Sequence, residues 1–247
     1  MEVVRATGVT AVRGLRYGMF LGFGAAYLAM AAGFSSAPAK AADCRADPAP
    51  SVDWRDCVKK NLMLGGNDFT GANLRDVDLS FTDMRDTNLT SAALEKATLI
   101  RTWFTGAQMG KANFARVEAY RSSFQNVLAQ GASFASGELQ RASFNGADLR
   151  YVNFEKADLS RASFDEANLT GATFAYANLA RADLSKANVE GTLGLGKAFM
   201  LLTRIEGLDL SRATGLEQSQ IDMACGDAKT RLPKGLVTPK GWPCGKD

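Results

Sequence analysis

A repeat of five residues constrains the fold of this chain more than any other feature of its sequence. From Leu64 to Val189, every fifth residue is apolar and is most often Leu or Phe. The repeat runs for 26 units in a single frame without an insertion. A small residue, usually Ala, stands two positions before each of these centres, and Asp, Asn or Ser often stands directly before it.

A period of five fits neither of the common secondary structures. Five residues of an α-helix turn through roughly 500°, which scatters the centres around the axis. In a straight strand, residues an odd number apart point to opposite faces. The centres share one core only if the chain turns between units and stacks on itself at about 4.8 Å per coil. Because one repeat cannot bury its own core but a stack can, the pattern predicts a solenoid.

Two longer periods indicate how many units make one coil. Phe occupies alternate centres from Phe104 to Phe174, which is a period of ten. Arg recurs with a period of twenty at Arg101, Arg121, Arg141, Arg161 and Arg181. We therefore expect four units per coil, two stacked columns of Phe on opposite inner faces, and a rod of roughly 30 Å.

The units resemble those of a known repeat family. The segments Ala147-Asp148-Leu149-Arg150-Tyr151 and Ala167-Asn168-Leu169-Thr170-Gly171 resemble the A(D/N)LXX unit of pentapeptide-repeat proteins. The resemblance extends from Leu62 to about Thr192 and implies an all-β fold, a right-handed quadrilateral parallel β-helix with four repeats per coil. The best understood members mimic DNA and bind DNA gyrase, but most functions in the family are unknown, so the resemblance assigns no activity.

The first 41 residues have the pattern of a secretory signal peptide. Arg5, Arg13 and Arg16 precede an uncharged apolar stretch over residues 17–34, and Ala39-Lys40-Ala41 fits the A-x-A cleavage pattern. The alternative is an uncleaved anchor, since eighteen apolar residues reach the lower edge of membrane-spanning length. Membrane contact would then be confined to this leader.

Charge argues against a nucleic-acid partner. The chain has 29 basic and 26 acidic residues, of which the leader holds four and one, so the mature chain keeps 25 of each. Residues 61–193 hold 15 acids and 13 bases. Duplex DNA carries one charge per ~1.7 Å, so a DNA mimic needs a dense acidic face that this balance does not provide.

The four cysteines flank the repeats. Cys44 and Cys57 precede them, and Cys225 and Cys244 follow. Four cysteines allow three pairings, and the sequence does not choose among them strictly. The length of the rod favours local pairs, which would staple a cap over residues 42–61 and a C-terminal segment and cap over 194–247, on either side of repeats at 62–193. Disulfides agree with export to the periplasm or the medium.

The C-terminal segment begins where the repeat frame breaks after Val189. We expect the repeat to resume at Ile205 and Leu210, displaced by one residue. Residues 214–217 read T-x-x-E, which predicts a capping box at Thr214 and a short helix through about Ala224. The apolar run 199–202 either packs on the last coil or forms a binding patch.

Two surface features are candidates for binding. The arginine series is accompanied, three residues earlier, by Thr98, Glu118, Glu138, Asp158 and Asn178. It is either a self-compensated charge ladder or a groove for an anionic partner such as a polysaccharide or a phosphorylated lipid headgroup. Trp103 occupies an outward position and Tyr120 lies near Ala119 and Ala129, which replace large core residues. This region is either a partner-binding hollow or tolerated drift in a redundant core.

Catalysis finds little support in the sequence. The chain has no His, no cysteine within the repeats, no Ser beside an evident base, and no phosphate-loop or dinucleotide motif. We therefore predict no catalytic, cofactor or metal site. The leading hypothesis is an exported, non-enzymatic structural or binding module whose partner is a protein or an anionic polymer of the envelope. The alternatives are a gyrase-binding DNA mimic and a carboxylate-dependent hydrolase on a β-helix.

Overall fold

The backbone forms stacked coils that pair with one another through single parallel bridges. The structure is a computed structural model that describes residues 41–245, so the predicted leader lies outside the described residues apart from Ala41. Each bridge joins residues twenty apart, from Asp53↔Asn73 to Asn168↔Asn188. Four such ladders run in parallel, one on each side of the coil, which establishes four units per coil. Within residues 41–245, each bridge involves a single residue of each coil, and no extended strand is formed.

Each five-residue unit has the same internal plan. In the unit 158–162, Asp158 bridges the coils on either side, and the centre Leu159 is completely buried. Ser160 and Arg161 form the turn, with Arg161 at a φ of 58°. The N–H of Ala162 donates to the carbonyl of Leu159 at 2.9 Å and closes the turn. Ala162 is itself buried, which explains why this position requires a small side chain.

Two columns of Phe fill the interior, as the period of ten predicts. In one column, successive rings from Phe104 to Phe164 stack at 5.1, 4.9 and 5.2 Å between centroids. In the other, rings from Phe114 to Phe174 stack at 4.7, 5.3 and 5.0 Å. Rings of the two columns meet edge to face across the coil, an arrangement that the aromatic quadrupole favours.

The ladders extend beyond the boundaries that the sequence suggests for the repeats. Pairing already begins at Asp53, within the stretch expected to form the first cap. After Asn188 one extra residue enters, and the offset becomes 21 at Thr173↔Gly194. The repeat thus resumes at Leu195, ten residues before the expected Ile205. Gly194 permits this register, because a Cβ there would lie 2.9 Å from the hydroxyl of Thr173.

The run 199–202 contributes to the coil on both sides. Met200 is completely buried at a centre position, whereas Phe199 and Leu201 remain largely exposed. Packing into the coil is therefore observed for Met200, whereas the binding patch stays a prediction.

One helix, Gln218–Met223, lies in the C-terminal segment of the described chain. Its capping box is formed by Glu217 and Gln220, not by Thr214, so the sequence placed the cap three residues too early. Thr214 instead bridges Gly194 and still belongs to the coil. No helix within residues 41–245 has the length and apolar character needed to cross a membrane.

Disulfides join cysteines within each end of the stack. Cys44 pairs with Cys57, and Cys225 pairs with Cys244. These are the two local pairs that the length of the coil stack favours. Because such bonds persist in oxidising environments, they indicate an extracytoplasmic compartment.

Candidate anion-binding corner

The five arginines of the twenty-residue series occupy one corner of the stack. Each sits at the second turn position of its unit, with φ between 54° and 60° and an exposed side chain. The N–H of Arg101 donates to the carbonyl of Tyr120, and that of Arg121 donates to the carbonyl of Gln140 in the next coil. The arginine corner consists of Arg101, Arg121, Arg141, Arg161 and Arg181.

Arginines elsewhere in the stack show how the fold neutralises a guanidinium. Arg85 and Arg150 occupy the first turn position and reach back two residues to Asp83 and Asp148, with contacts of 2.5 and 2.6 Å. The hydrogen bonds from Arg85 hold the pKa of the Asp83 carboxyl below its usual range. A basic residue one position earlier in the turn is therefore compensated by its own unit.

Four members of the arginine corner lack this compensation. Among residues 41–245, no ion pair within 4.0 Å joins Arg101, Arg121, Arg141 or Arg161 to a carboxylate. The guanidinium of Arg101 lies 5.8 Å from the ring centroid of Phe81. The acids three residues earlier belong to the adjacent bridge ladder, in which the backbone of Glu118 is paired with that of Glu138.

The acids three residues before the inner arginines, Glu118, Glu138 and Asp158, form no ion pair with them among residues 41–245. Asp158 accepts hydrogen bonds from the amides of Gln140 and Asn178, at 3.0 and 3.2 Å. Glu118 and Glu138 are exposed to solvent. The sequence left open whether these acids neutralise the neighbouring arginines. Among the described residues, no ion pair joins Glu118, Glu138 or Asp158 to Arg121, Arg141 or Arg161.

On the other side of the corner runs a neutral polar face. Two residues after the inner arginines come Ser123, Ser143 and Ser163, which bridge one another in successive coils. Their hydroxyls contact the side chains of Thr105, Gln125 and Asn145, at 3.2, 3.2 and 2.6 Å. Bridge positions 103–163 of this ladder hold no acid, and we call Ser123, Ser143 and Ser163 the serine face.

Trp103 and Tyr120 lie close to this corner. Trp103 bridges Ser123 at the end of the serine face and is 47% exposed. The Tyr120 ring lies 5.1 Å from the Arg121 guanidinium. Ala119 and Ala129 are completely buried.

A small cleft lies beside Trp103. It has a volume of about 280 Å³ and is lined by Met63, Asp83, Arg85 and Trp103. Met63 and Phe81 are two further exposed apolar residues that were not predicted from the sequence as candidates for binding. They occupy the bridge and turn positions that are polar in most units, so the reasoning that singled out Trp103 also applies to them.

A larger cleft of about 700 Å³ lies near the C-terminal disulfide and includes Arg181, Arg204, Glu206 and Cys244 in its lining. It adjoins the end of the described residues and contains none of the four arginines without an ion pair. We therefore place the candidate site at the arginine corner and not in this cleft.

The chemistry of the acids does not favour catalysis. A general acid at neutral pH requires a raised pKa. The pKa values of Asp68 and Asp209 are instead lowered, mainly by hydrogen bonds from Thr70 and Ser211. Within residues 41–245, no three His, Cys, Asp or Glu side chains are grouped so that they could hold a metal ion.

Comparisons with known proteins concern the repeats. Residues 97–174 match the family described as pentapeptide repeat region, and residues 64–90 and 162–192 match the family described as pentapeptide repeats (8 copies). No curated protein matches the chain.

Several solved structures are similar to this chain. HetL of Nostoc sp. strain PCC 7120, a pentapeptide repeat protein involved in heterocyst differentiation regulation, is 26% identical, with 76% of this chain and 89% of HetL covered and a TM-score of 0.43. Full-length QnrB1, a plasmid-mediated fluoroquinolone resistance protein, is 18% identical, with 72% and 94% covered and a TM-score of 0.51. The likeness to QnrB1 concerns the fold alone.

Proposed function

This chain belongs to the pentapeptide-repeat family, and from that premise we propose that it is an exported, non-enzymatic binding module. In this proposal the repeats form a right-handed quadrilateral β-helix that displays the arginine corner to a linear anionic partner. The partner lies along the stack and contacts several coils at once.

The uncompensated charge of Arg101, Arg121, Arg141 and Arg161 carries the proposal. The backbone positions of neighbouring arginines recur at about 4.8 Å, the spacing of paired strands, so their guanidiniums can approach equally closely. At that spacing two like charges repel by about 1 kcal/mol even in water. Arg150 and Arg85 show that the same fold neutralises an arginine when an Asp stands two residues earlier. A polyanion would supply negative charge beside these four arginines and relieve the repulsion between them.

The alternatives receive less support. A DNA mimic needs an acidic face, whereas residues 61–193 hold 15 acids and 13 bases. A carboxylate-dependent hydrolase needs an acid of raised pKa, whereas Asp68, Asp83, Asp209 and Asp227 shift in the opposite direction.

Export leads to a prediction about the mature terminus. We expect the mature chain to begin at Ala42 or Asp43, because Ala39-Lys40-Ala41 follows the uncharged stretch. The two disulfides support an oxidising destination. N-terminal sequencing of protein from the cell envelope measures this directly. An intact Met1 terminus in the membrane fraction would instead establish the uncleaved anchor.

Charge reversal at the corner tests binding. The triple variant Arg121→Glu, Arg141→Glu, Arg161→Glu should lose at least about tenfold in affinity for a linear polyanion at low salt, because exposed charges act over about 10 Å at 0.1 M. The fold should be retained, since all three side chains are exposed. Retention on a column of sulfated polysaccharide, measured across a salt gradient, gives the comparison.

A matched control separates the corner from net charge. Lys96, Arg116 and Lys156 occupy the same turn position at another corner, with φ of 61°, 60° and 59°. Their reversal to Glu changes the net charge by the same amount and should reduce retention much less. Equal loss in the two triple variants would show that retention reflects overall charge, and the proposed site would then be wrong.

A further inference from the structure

We propose that the partner of the arginine corner is a polysaccharide that carries one carboxylate per sugar ring, and that it lies lengthwise over the arginine corner and the serine face. This inference rests on the proposed function and names the chemical class of its ligand. It follows from the spacing of the charges, from the neutral face on one side of them, and from the position of Trp103.

The spacing of the guanidiniums favours such a polymer. Coils in this stack repeat at the 4.7–5.3 Å separation of the stacked Phe rings. A hexuronate ring in an extended β-1,4-linked chain advances by about one coil, so one ring lies at the level of each arginine. Successive rings turn over, and their carboxylates therefore alternate between the two edges of the ribbon. The long arginine stems reach either edge of the sugar ribbon, and the planar guanidinium matches a carboxylate with two parallel hydrogen bonds.

Other polyanions do not keep this register. An extended acidic peptide advances only about 3.4 Å per residue, so its charges fall out of step with the coils within a few residues, whichever edge they point to. Duplex DNA carries one charge per ~1.7 Å, which is far denser than one charge per coil. Both would contact the corner through charge alone, without a repeating fit.

The serine face provides partners for sugar hydroxyls. Arg121, Arg141 and Arg161 are each followed two residues later by Ser, so every coil repeats one guanidinium and one hydroxyl. A hydroxyl offers one donor and two acceptor positions, and the contacts to Thr105, Gln125 and Asn145 leave capacity for a ligand. A sugar ring needs such neutral hydrogen-bonding groups, whereas a simple polyphosphate does not.

The two ends of the face define a length. Trp103 stands at one end, 47% exposed, where an indole ring can pack on the apolar face of a terminal sugar. Asp183 follows Ser163 in the same ladder and would repel a carboxylate at the other end. The interval between them spans the level of four arginines, from Arg101 to Arg161. We therefore infer a site for about four rings.

The opposite side of the corner argues against a flat anionic membrane as the partner. Glu118 and Glu138 are exposed on the adjacent ladder. A membrane surface wide enough to meet several arginines would also meet these acids. A single polymer chain avoids them, because it can lie on the serine side.

Calorimetric titration of the disulfide-bonded chain with β-1,4-linked oligomannuronates of two to eight rings tests the inference. We expect the affinity to rise with length up to about four rings and then to level off. The variant Ser123→Ala, Ser143→Ala, Ser163→Ala should weaken binding of the tetramer about tenfold, since each lost hydrogen bond contributes modestly. The same variant should bind short polyphosphate as the wild type does.

A control variant checks that the effect is specific to the face. Ser133 occupies a bridge position on another side of the coil, and Ser133→Ala should leave both affinities unchanged. Ala93 already occupies a bridge position of that same ladder, so alanine is compatible with this backbone. Thermal melts of all variants should coincide with that of the wild type.

The outcomes separate this inference from the proposed function. If polyphosphate or poly-glutamate of equal charge binds as tightly as the oligouronate, the sugar assignment is wrong while the anion-binding function stands. Binding to phosphatidylglycerol vesicles without binding to any oligouronate would likewise overturn the sugar and leave an anionic surface as ligand. If none of these polyanions binds, both the inference and the proposed function are wrong.

Discussion

Replacing Phe134 with alanine should lower the free energy of unfolding by about 3–5 kcal/mol, as expected for a fully buried aromatic side chain. The ring of Phe134 is stacked between Phe114 and Phe154, at 4.7 and 5.3 Å between centroids. It also meets Phe124 and Phe144 edge to face, at 5.3 and 5.7 Å. The coils are held apart by their backbone pairing, so the surrounding core cannot collapse into the space that the substitution leaves.

Chemical denaturation followed by circular dichroism measures this loss. Tyr176→Asn provides the control, because Tyr176 is an aromatic residue on the outside of the coil, 61% exposed and at a φ of 60° that asparagine adopts readily. We expect that change to stay within about 0.5 kcal/mol of the wild type. A cost below about 1 kcal/mol for Phe134→Ala would show that the Phe columns are not the main source of stability.

The interior of this protein could be read from its sequence because one physical constraint sets it. Every fifth residue must be buried. The alternate Phe centres can stack only if each coil holds an even number of units, and the arginine period of twenty makes that number four. Both consequences are present in the structure, in the bridges between residues twenty apart and in the stacked rings. A strict repeat leaves few alternative registers, so the prediction depends little on detailed energetics.

The end of the repeat was harder to predict, because local patterns compete there with long-range pairing. Both T-x-x-E at Thr214 and the step from Glu217 to Gln220 are compatible with a capping box. Pairing of Thr214 with Gly194 keeps Thr214 in the coil, which leaves Glu217 to cap the helix. The sequence predicts that the repeat is displaced by one residue after Val189. The point at which pairing resumes depends on how closely the backbones approach, which the spacing of apolar residues does not specify.

The alignment of the arginines in the candidate site could be predicted from the sequence, but their ion pairs could not. The period of twenty places the arginines in one column, as the structure does. Whether an acid three residues away neutralises an arginine depends on where the two side chains leave the turn, which a sequence does not state. Arg150 reaches Asp148 from the first turn position, whereas Arg161 forms no ion pair with Asp158 from the second. The serine face is interpreted as part of a site only because it lies beside Arg121, Arg141 and Arg161, which form no ion pair among residues 41–245.

The C-terminal cap should depend strongly on its disulfide. Replacing Cys225 and Cys244 together with serine should lower stability by about 3 kcal/mol in the chain-entropy model for a loop of this size. The bond ties the last residues of the described chain to the coil at Cys225, next to helix Gln218–Met223. Once the bond is removed, the segment is still held by the indole N–H of Trp242, which donates to the carbonyl of Ala224 at 2.7 Å, and by two hydrogen bonds between Gln218 and Val237.

Hydrogen exchange shows where the disulfide variant loses stability as well as how much it loses. Exchange should rise in residues 224–245 and stay unchanged in the Phe columns, because each coil of a solenoid contacts only its neighbours. The control is the pair Cys44→Ser, Cys57→Ser, which should raise exchange only in the first coil, where Cys57 is buried beside Trp54. The two losses should add in the fourfold variant, since sites without shared contacts behave independently. Unchanged exchange near Ala224 in the first variant would mean that the non-covalent contacts of Trp242 and Val237 secure the cap, and the disulfide would then have no stabilising role at that end.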